Sequence, residues 1–279
     1  MAKLRGMNER IQKLRELSVT TPVHIDLERA KIETDFYKAN DGKYSIPVMR
    51  AMVLKEYFSR KTLYLGDGEL IIGEKGKDPQ ASPTFPELCC HSVEDMVVMS
   101  ERELVSFKTT EEDRKLQAEE IIPYWTGRSM REKILARMTP EWHECYSAGM
   151  FTEFMEQRGP GHTCGGEQVF TTGYLDYKEK IQKTMDALDY INDPDAVNKC
   201  EELKAMDIAC DAVIILGERY HKLALEMAEK ETDETRKEEL LQIAANLEVV
   251  PAHKPETYWQ AIQLYWFTHL AVTTELNPW

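Results

Sequence analysis

The sequence YWQAIQLYWFTHLAV, residues 258–272, is apolar on almost every side of a helix. A helix that is apolar all round is stable only when other structure surrounds it. Gln263 and His269 interrupt the segment, which therefore falls short of the roughly 18–20 uninterrupted apolar residues of a membrane span. We predict that this segment is a helix buried inside a larger body.

Most of the remaining chain also has the three- and four-residue apolar spacing of helices. The predicted helices cover residues 2–17, 26–40, 47–59, 92–102, 110–120, 129–138, 139–150, 175–191, 195–230, 234–247 and 255–272. Two of them begin with capping boxes, Ser92-Val-Glu-Asp and Thr110-Glu-Glu-Asp, in which the acid bonds back to the first residue. The chain is therefore predicted to be mainly α.

A short β-structure interrupts this helical pattern. The β-prone runs Thr62–Leu65 and Glu69–Gly73 flank Gly66-Asp67-Gly68, which predicts a β-hairpin. The Gly- and Pro-bearing stretch Glu74–Pro86 predicts a long loop. No internal repeat or linker marks a boundary, so residues 1–279 are interpreted as part of one domain.

Composition excludes several classes of function. The 279 residues carry 35 Lys and Arg against 49 Asp and Glu, a net charge of −14, which argues against a nucleic-acid partner.

Residues 1–17 are basic but lack the apolar core of a signal peptide, and no membrane-spanning segment is predicted. A cytoplasmic protein with six reduced cysteines is the simplest interpretation. Cys89-Cys90-His91 lacks the paired spacing of a zinc site and indicates small side chains at the edge of a core.

The segment that carries chemistry is FTEFMEQRGPGHTCGG, residues 151–166. Four of the 14 glycines and one proline fall within residues 159–166, which precludes a helix and lets the backbone approach a ligand. His162 follows the rings of Phe151 and Phe154, as in a pocket with an aromatic wall and one imidazole. The alternative for His162 is a turn histidine that bonds nearby backbone. The alternative for Cys164 is a plain buried thiol without a catalytic role. Phosphate-loop, dinucleotide and zinc-protease motifs are absent from the sequence.

Four stretches together resemble the N-terminal part of glycyl radical enzymes of the pyruvate formate-lyase superfamily. They are DGELIIGEKG at 67–76, PTFPELCCHSVEDM at 83–96, MTPEWHECYSAGMFTEFMEQRGPGHTCGG at 138–166 and VVPAHKPETYWQAIQLYWFTHLAVTTELNPW at 249–279. The resemblance covers essentially the whole chain. Within the superfamily it is strongest to the dehydratases that act on trans-4-hydroxy-L-proline.

The resemblance implies a fold and a set of partners. It implies a ten-stranded α/β barrel, of which this chain would supply the helical N-terminal region and the beginning. It also implies a glycyl radical installed by a radical S-adenosylmethionine activating enzyme, a cysteine thiyl radical that starts the reaction, and a possible homodimer. His162 matches the imidazole that contacts the departing hydroxyl of a small hydroxylated substrate, and Phe154 matches a ring that lines the substrate. This chain itself is expected to bind no cofactor or metal.

Two family segments are missing from the sequence. The Arg-Val-x-Gly-Tyr segment of the radical glycine is absent, and so is the Cys-x-Glu loop of the thiyl radical; Cys200-Glu201-Glu202 lies in a helical pattern and does not match. An acidic residue that contacts the hydroxyl in the dehydratases would fall just past Trp279. The expectation is an N-terminal portion that is inactive alone and aggregates or stays molten, since residues 258–272 would lack their barrel neighbours. A diol or glycerol dehydratase, another lyase of the superfamily, and a non-catalytic helical scaffold that folds by itself are the alternatives.

Overall fold

Thirteen helices and two short strands are formed by residues 8–151 and 164–276, which the computed structural model describes. The helices are α1 Glu9–Thr20, α2 Glu28–Asn40, α3 Ile46–Arg60, α4 Val93–Glu101, α5 Glu111–Leu116, α6 Ile122–Trp125, α7 Met130–Leu135, α8 Pro140–Ser147, α9 Gln168–Thr171, α10 Tyr174–Asp186, α11 Ala196–Lys230, α12 Glu234–Val249 and α13 Tyr258–Leu276. The strands are β1 His24–Asp26 and β2 Ala81–Pro83, and a π-helical turn at Gln117–Ile121 joins α5 to α6.

Local signals place several helix ends where the sequence predicts them. Ser92 Oγ accepts from the Asp95 backbone N–H at 3.1 Å while Asp95 accepts from Ser92, and Thr110 and Asp113 form the same reciprocal pair. Both predicted capping boxes are therefore confirmed. Pro47 lies in the first turn of α3, where its missing N–H costs no hydrogen bond.

The largest core forms around α11, a helix of 35 residues that packs against α3, α10 and α12. Its small residues let neighbouring helices approach, and the Tyr220 ring stacks on Phe267 of α13 with centroids 5.6 Å apart. A second core joins α2, α4 and the π-helical turn around Met96 and Trp125. Both cores are made by helices from distant parts of the chain.

The predicted buried helix is confirmed as α13, except at its first residue, Tyr258, which is 82% exposed. From Trp259 to Glu275 every side chain is buried or half-buried. One face, which includes Gln263 and Phe267, is fully covered; the opposite face, which includes Tyr265 and His269, is half-exposed. None of the described helices is both long and apolar enough to cross a membrane.

The predicted hairpin is wrong: the described residues 62–73 form turns and irregular structure and contain no strand. Their backbone groups pair with side chains of other elements. Gln263 accepts from the Ile72 N–H at 2.9 Å and donates to the Ile72 carbonyl at 2.8 Å, as a neighbouring strand would. Trp259, Trp266 and Arg236 donate to the carbonyls of Leu70, Gly73, Gly66 and Glu69. Because α12 and α13 satisfy these groups, no hairpin partner is needed.

The two strands pair elsewhere and in parallel. β1 and β2 align His24 with Ala81 and Asp26 with Pro83. β2 lies within residues 74–86, where the sequence predicts a loop, so that prediction is wrong for these three residues. The side chain of Asp26 accepts from the backbone N–H groups of Glu28 and Lys77, which ties the start of α2 to the segment leading into β2.

Replacing Gln263 by Met tests this side-chain pairing. Met has a similar length but cannot bond the Ile72 N–H and carbonyl, and each buried backbone group left unpaired costs about 1–3 kcal/mol. We expect faster amide hydrogen exchange in residues 66–76. Gln182→Met, at an exposed position of α10, is the control and should change nothing measurable. Unchanged protection in Gln263→Met would contradict the assignment.

Candidate functional site

The two residues predicted to form the site, Phe154 and His162, lie outside the described residues, in the stretch 152–163. Their predicted roles therefore stay predictions. The structure does describe the residues on both sides of this stretch.

On the upstream side, aromatic side chains gather at the end of α8. The Phe151 ring meets Trp142 edge-on at a centroid distance of 5.0 Å and lies 5.9 Å from Tyr146. Arg131 donates to the Tyr146 hydroxyl at 3.0 Å. Trp142 is 56% exposed, so the aromatic group is only partly covered by the described residues. Phe151 thus packs against the aromatic side chains of α8, and the predicted aromatic wall beside His162 stays a prediction.

On the downstream side, the chain is anchored to α13. Gly165 and Gly166 adopt positive φ angles of 73° and 53°, a backbone turn that glycine makes at little steric cost. Tyr174 then donates to the Thr268 hydroxyl at 3.1 Å, and its backbone N–H bonds the Pro251 carbonyl at 3.0 Å. Burial raises the pKa of the Tyr174 phenol, so this hydroxyl stays protonated.

A buried charge cluster lies where α2 meets the C-terminal end of α13. Arg29 donates to Glu33 at 2.7 Å, to both carboxylate oxygens of Glu87 at 2.7 and 3.2 Å, and to the Thr274 carbonyl at 3.0 Å. The Arg29 and Glu33 side chains are 6% and 3% exposed. A cavity of about 30 Å³ adjoins them, and Arg50 and Glu275 also line it. The sequence signal was limited to the four-residue spacing of Arg29 and Glu33, because Glu87 and Thr274 are distant in the chain.

Lys61 forms a second buried polar site that the sequence did not predict. Its ammonium group donates to the backbone carbonyls of Glu74, Lys75 and Gly76. Burial lowers the pKa of Lys61 to about 8 and raises the pKa of Glu74 to about 7. These bonds hold the end of the stretch DGELIIGEKG, residues 67–76, by its backbone, so the role of Lys61 is to keep this loop in place.

The cysteines of the described regions are free thiols. Burial raises the pKa of Cys90 to about 12 and of Cys210 to about 11, which keeps both protonated and unreactive at neutral pH. Cys90 packs against the second core, as interpreted from the sequence. Within residues 8–151 and 164–276, His, Cys, Asp and Glu side chains form no group that could hold a metal ion.

Comparison with known proteins identifies the family. Residues 7–278 match the pyruvate formate lyase-like family. Over 275 residues the chain is 54% identical to trans-4-hydroxy-L-proline dehydratase of Clostridioides difficile, covering 99% of this chain and 35% of that protein. It is 31% identical over 281 residues to isethionate sulfite-lyase of Nitratidesulfovibrio vulgaris, covering 96% of this chain and 34% of the relative.

Solved structures agree with this assignment. The crystal structure of the C. difficile hydroxyproline dehydratase with bound trans-4-hydroxy-L-proline matches with a TM-score of 0.94 over 99% of this chain and 35% of that one. A structure concerned with 1,2-propanediol dehydration in Roseburia inulinivorans matches with a TM-score of 0.92 at 28% identity, covering the whole of this chain and 33% of that one. The chain thus spans about a third of the length of the relatives it matches. With a family match over nearly its whole length, the chain belongs to the pyruvate formate lyase-like family.

Proposed function

We propose that this chain is the N-terminal part of a glycyl radical dehydratase that removes water from trans-4-hydroxy-L-proline to give 1-pyrroline-5-carboxylate. The observation that carries the proposal is the 54% identity, over 99% of the chain, to a dehydratase of that substrate. The match to the propanediol-related structure is close in shape but only 28% identical, so a diol is the weaker candidate substrate.

His162 and Phe154 are the residues that we propose to act on the substrate. Hydroxide is a poor leaving group, so loss of water is faster when a positioned acid donates a proton to the departing oxygen. His162 would be this donor. Phe154 would lie against the substrate ring and help to exclude water, which protects a reactive intermediate from side reactions.

The radical chemistry itself would come from residues that this sequence does not contain. In the glycyl radical enzymes that the chain resembles, the radical supplies hydrogen abstraction from the substrate. The sequence has neither the radical glycine segment nor the Cys-x-Glu loop, so the contribution of this chain is to bind, orient and protonate. A radical S-adenosylmethionine activating enzyme, a ten-stranded barrel and a homodimer belong to the same proposal.

A chimera tests the proposal. This chain would replace the 275 matching residues of the C. difficile dehydratase, a substitution favoured by the TM-score of 0.94. After anaerobic activation, we expect conversion of trans-4-hydroxy-L-proline to 1-pyrroline-5-carboxylate, and no conversion of propane-1,2-diol or glycerol. The unmodified C. difficile enzyme is the positive control.

Two results would contradict the proposal. A folded chimera that carries the radical but leaves hydroxyproline unchanged would show that this chain lacks the required substrate contacts. Turnover of a diol in place of hydroxyproline would assign the chain to the diol dehydratases instead.

A further inference from the structure

The short helix α9, directly after the glycine-rich stretch, packs against α13. The Gly165 carbonyl accepts from the first N–H of α9 at 3.1 Å, which closes the turn that leads into this helix. Within α9 the side chain of Val169 is 5% exposed and packs against Val250 and Leu264. The glycine-rich stretch therefore has a fixed support on its downstream side, beginning at Gly165.

A directional chain of hydroxyl groups ties α10 to α13 beside this support. Thr268 Oγ1 donates its one proton to the Leu264 carbonyl at 2.9 Å, so the same oxygen can only accept a second bond. Tyr174, the first residue of α10, donates that bond at 3.1 Å. The Tyr174 ring packs against the cluster that contains Val169 and Leu264. The Tyr174 hydroxyl is therefore the donor that joins α10 to α13.

The backbone at the start of α10 also lies directly on the turn before α13. The first two N–H groups of α10 donate to the carbonyls of Pro251 and Ala252 at 3.0 and 2.9 Å. Gly173 comes so close to this turn that a Cβ atom there would overlap the backbone of Ala252 and His253. Because glycine alone lacks a Cβ, it allows this approach, and the start of α10 has little room to shift.

His162 is covalently close to this support. It precedes Cys164, the first described residue on this side, by two positions. Successive Cα atoms are about 3.8 Å apart, so the Cα atoms of His162 and Cys164 lie within about 7.6 Å of each other. Phe154 instead follows Phe151 by three positions, and Phe151 packs against the aromatic side chains of α8. Each of the two proposed site residues thus has its own support, and that of His162 is the junction of α9, α10 and α13.

We propose that Tyr174 is a positioning residue for His162. By donating to Thr268 it holds the downstream end of the glycine-rich stretch, and so keeps the imidazole within reach of the departing hydroxyl of the substrate. The inference rests on the proposed function of His162 as proton donor. A general acid acts only when it lies within hydrogen-bonding distance of the reacting atom, so a looser support slows the protonation step.

Tyr174→Phe in the chimera tests the proposal, because Phe keeps the ring and removes only the hydroxyl donor. A misplacement of 1 Å can cost about 10²-fold in rate, so we expect the loss of this one bond to lower kcat by about 10-fold, with a smaller change in KM. Thr268→Val, which removes the acceptor, should have the same effect, whereas Thr268→Ser keeps a hydroxyl and should retain most of the rate. Tyr258→Phe, at a position that is 82% exposed, is the control and should leave kcat unchanged.

The same substitution in a second background separates positioning from a purely structural role. The His162→Gln variant has no imidazole to position, so adding Tyr174→Phe should lower its kcat no further. A purely structural role would lower kcat by the same factor with and without His162. That result would overturn the proposal.

Amide hydrogen exchange gives a readout that does not need turnover. In Tyr174→Phe, exchange should become faster in residues 165–172, since local opening sets the rate, and in Tyr258→Phe it should stay as in the wild type. Unchanged exchange in Tyr174→Phe would overturn the proposal whether or not the chimera is active. A radical-bearing chimera that shows the faster exchange but leaves hydroxyproline unchanged would count against the proposed function and not against the support that Tyr174 provides.

Discussion

Arg29→Met is expected to destabilise the junction between α2 and α13 by about 3–5 kcal/mol, the usual cost of removing one partner from a buried ion pair. Met fills much of the volume of the Arg side chain but leaves Glu33 and Glu87 without a cation. It also leaves the Thr274 carbonyl without its donor. Amide hydrogen exchange in the chimera should therefore increase in α2 and in the last turns of α13, since local opening sets the exchange rate.

Arg60→Met is the matched control for this change. Arg60 also pairs with a glutamate four residues away on a helix, Glu56 at 3.0 Å, but its side chain is 51% exposed. Exposed ion pairs contribute roughly 0–1 kcal/mol to the free energy of unfolding, so amide hydrogen exchange should change little in Arg60→Met. Equal effects of the two substitutions, or normal protection of α2 in Arg29→Met, would show that the buried cluster does not hold these helices together.

The helices were predictable because their signals are local. A capping box needs only the residues from Ser92 to Asp95, and both the structure and the sequence place the helix start there. The apolar segment 258–272, which forms most of α13, similarly required burial whatever its neighbours were. Such features depend on spacing within a few residues, which a sequence displays directly.

The hairpin prediction was wrong because the groups that bond this backbone in place of a partner strand are distant in the sequence. The β-propensity of residues 69–73 is real, but the Ile72 backbone bonds are made by Gln263, which lies 191 positions later. The same separation explains why the sequence did not reveal the cluster of Arg29, Glu87 and Thr274. Tertiary contacts of this kind override local propensity, and the sequence around residue 72 does not indicate them.

His162→Gln is expected to lower the kcat of the chimera on trans-4-hydroxy-L-proline by about 10²–10⁴-fold, the range contributed by a positioned general acid. Gln can still form a hydrogen bond, so the binding of substrate should change much less than its turnover. Steady-state rates under anaerobic activation, together with the KM, separate these two effects.

His143→Gln is the control, because His143 lies on the exposed surface of α8, upstream of the same glycine-rich stretch. It should leave kcat and KM unchanged.

The pH profile decides between a proton donor and a residue that only holds the loop. A donor must be protonated, so the wild-type rate should fall as the pH rises through the histidine pKa, ordinarily about 6.5. Gln does not titrate, so this fall should be absent from the residual activity of His162→Gln. If the rate of His162→Gln falls with rising pH in the same way, another group protonates the departing hydroxyl, and His162 only holds the loop in place.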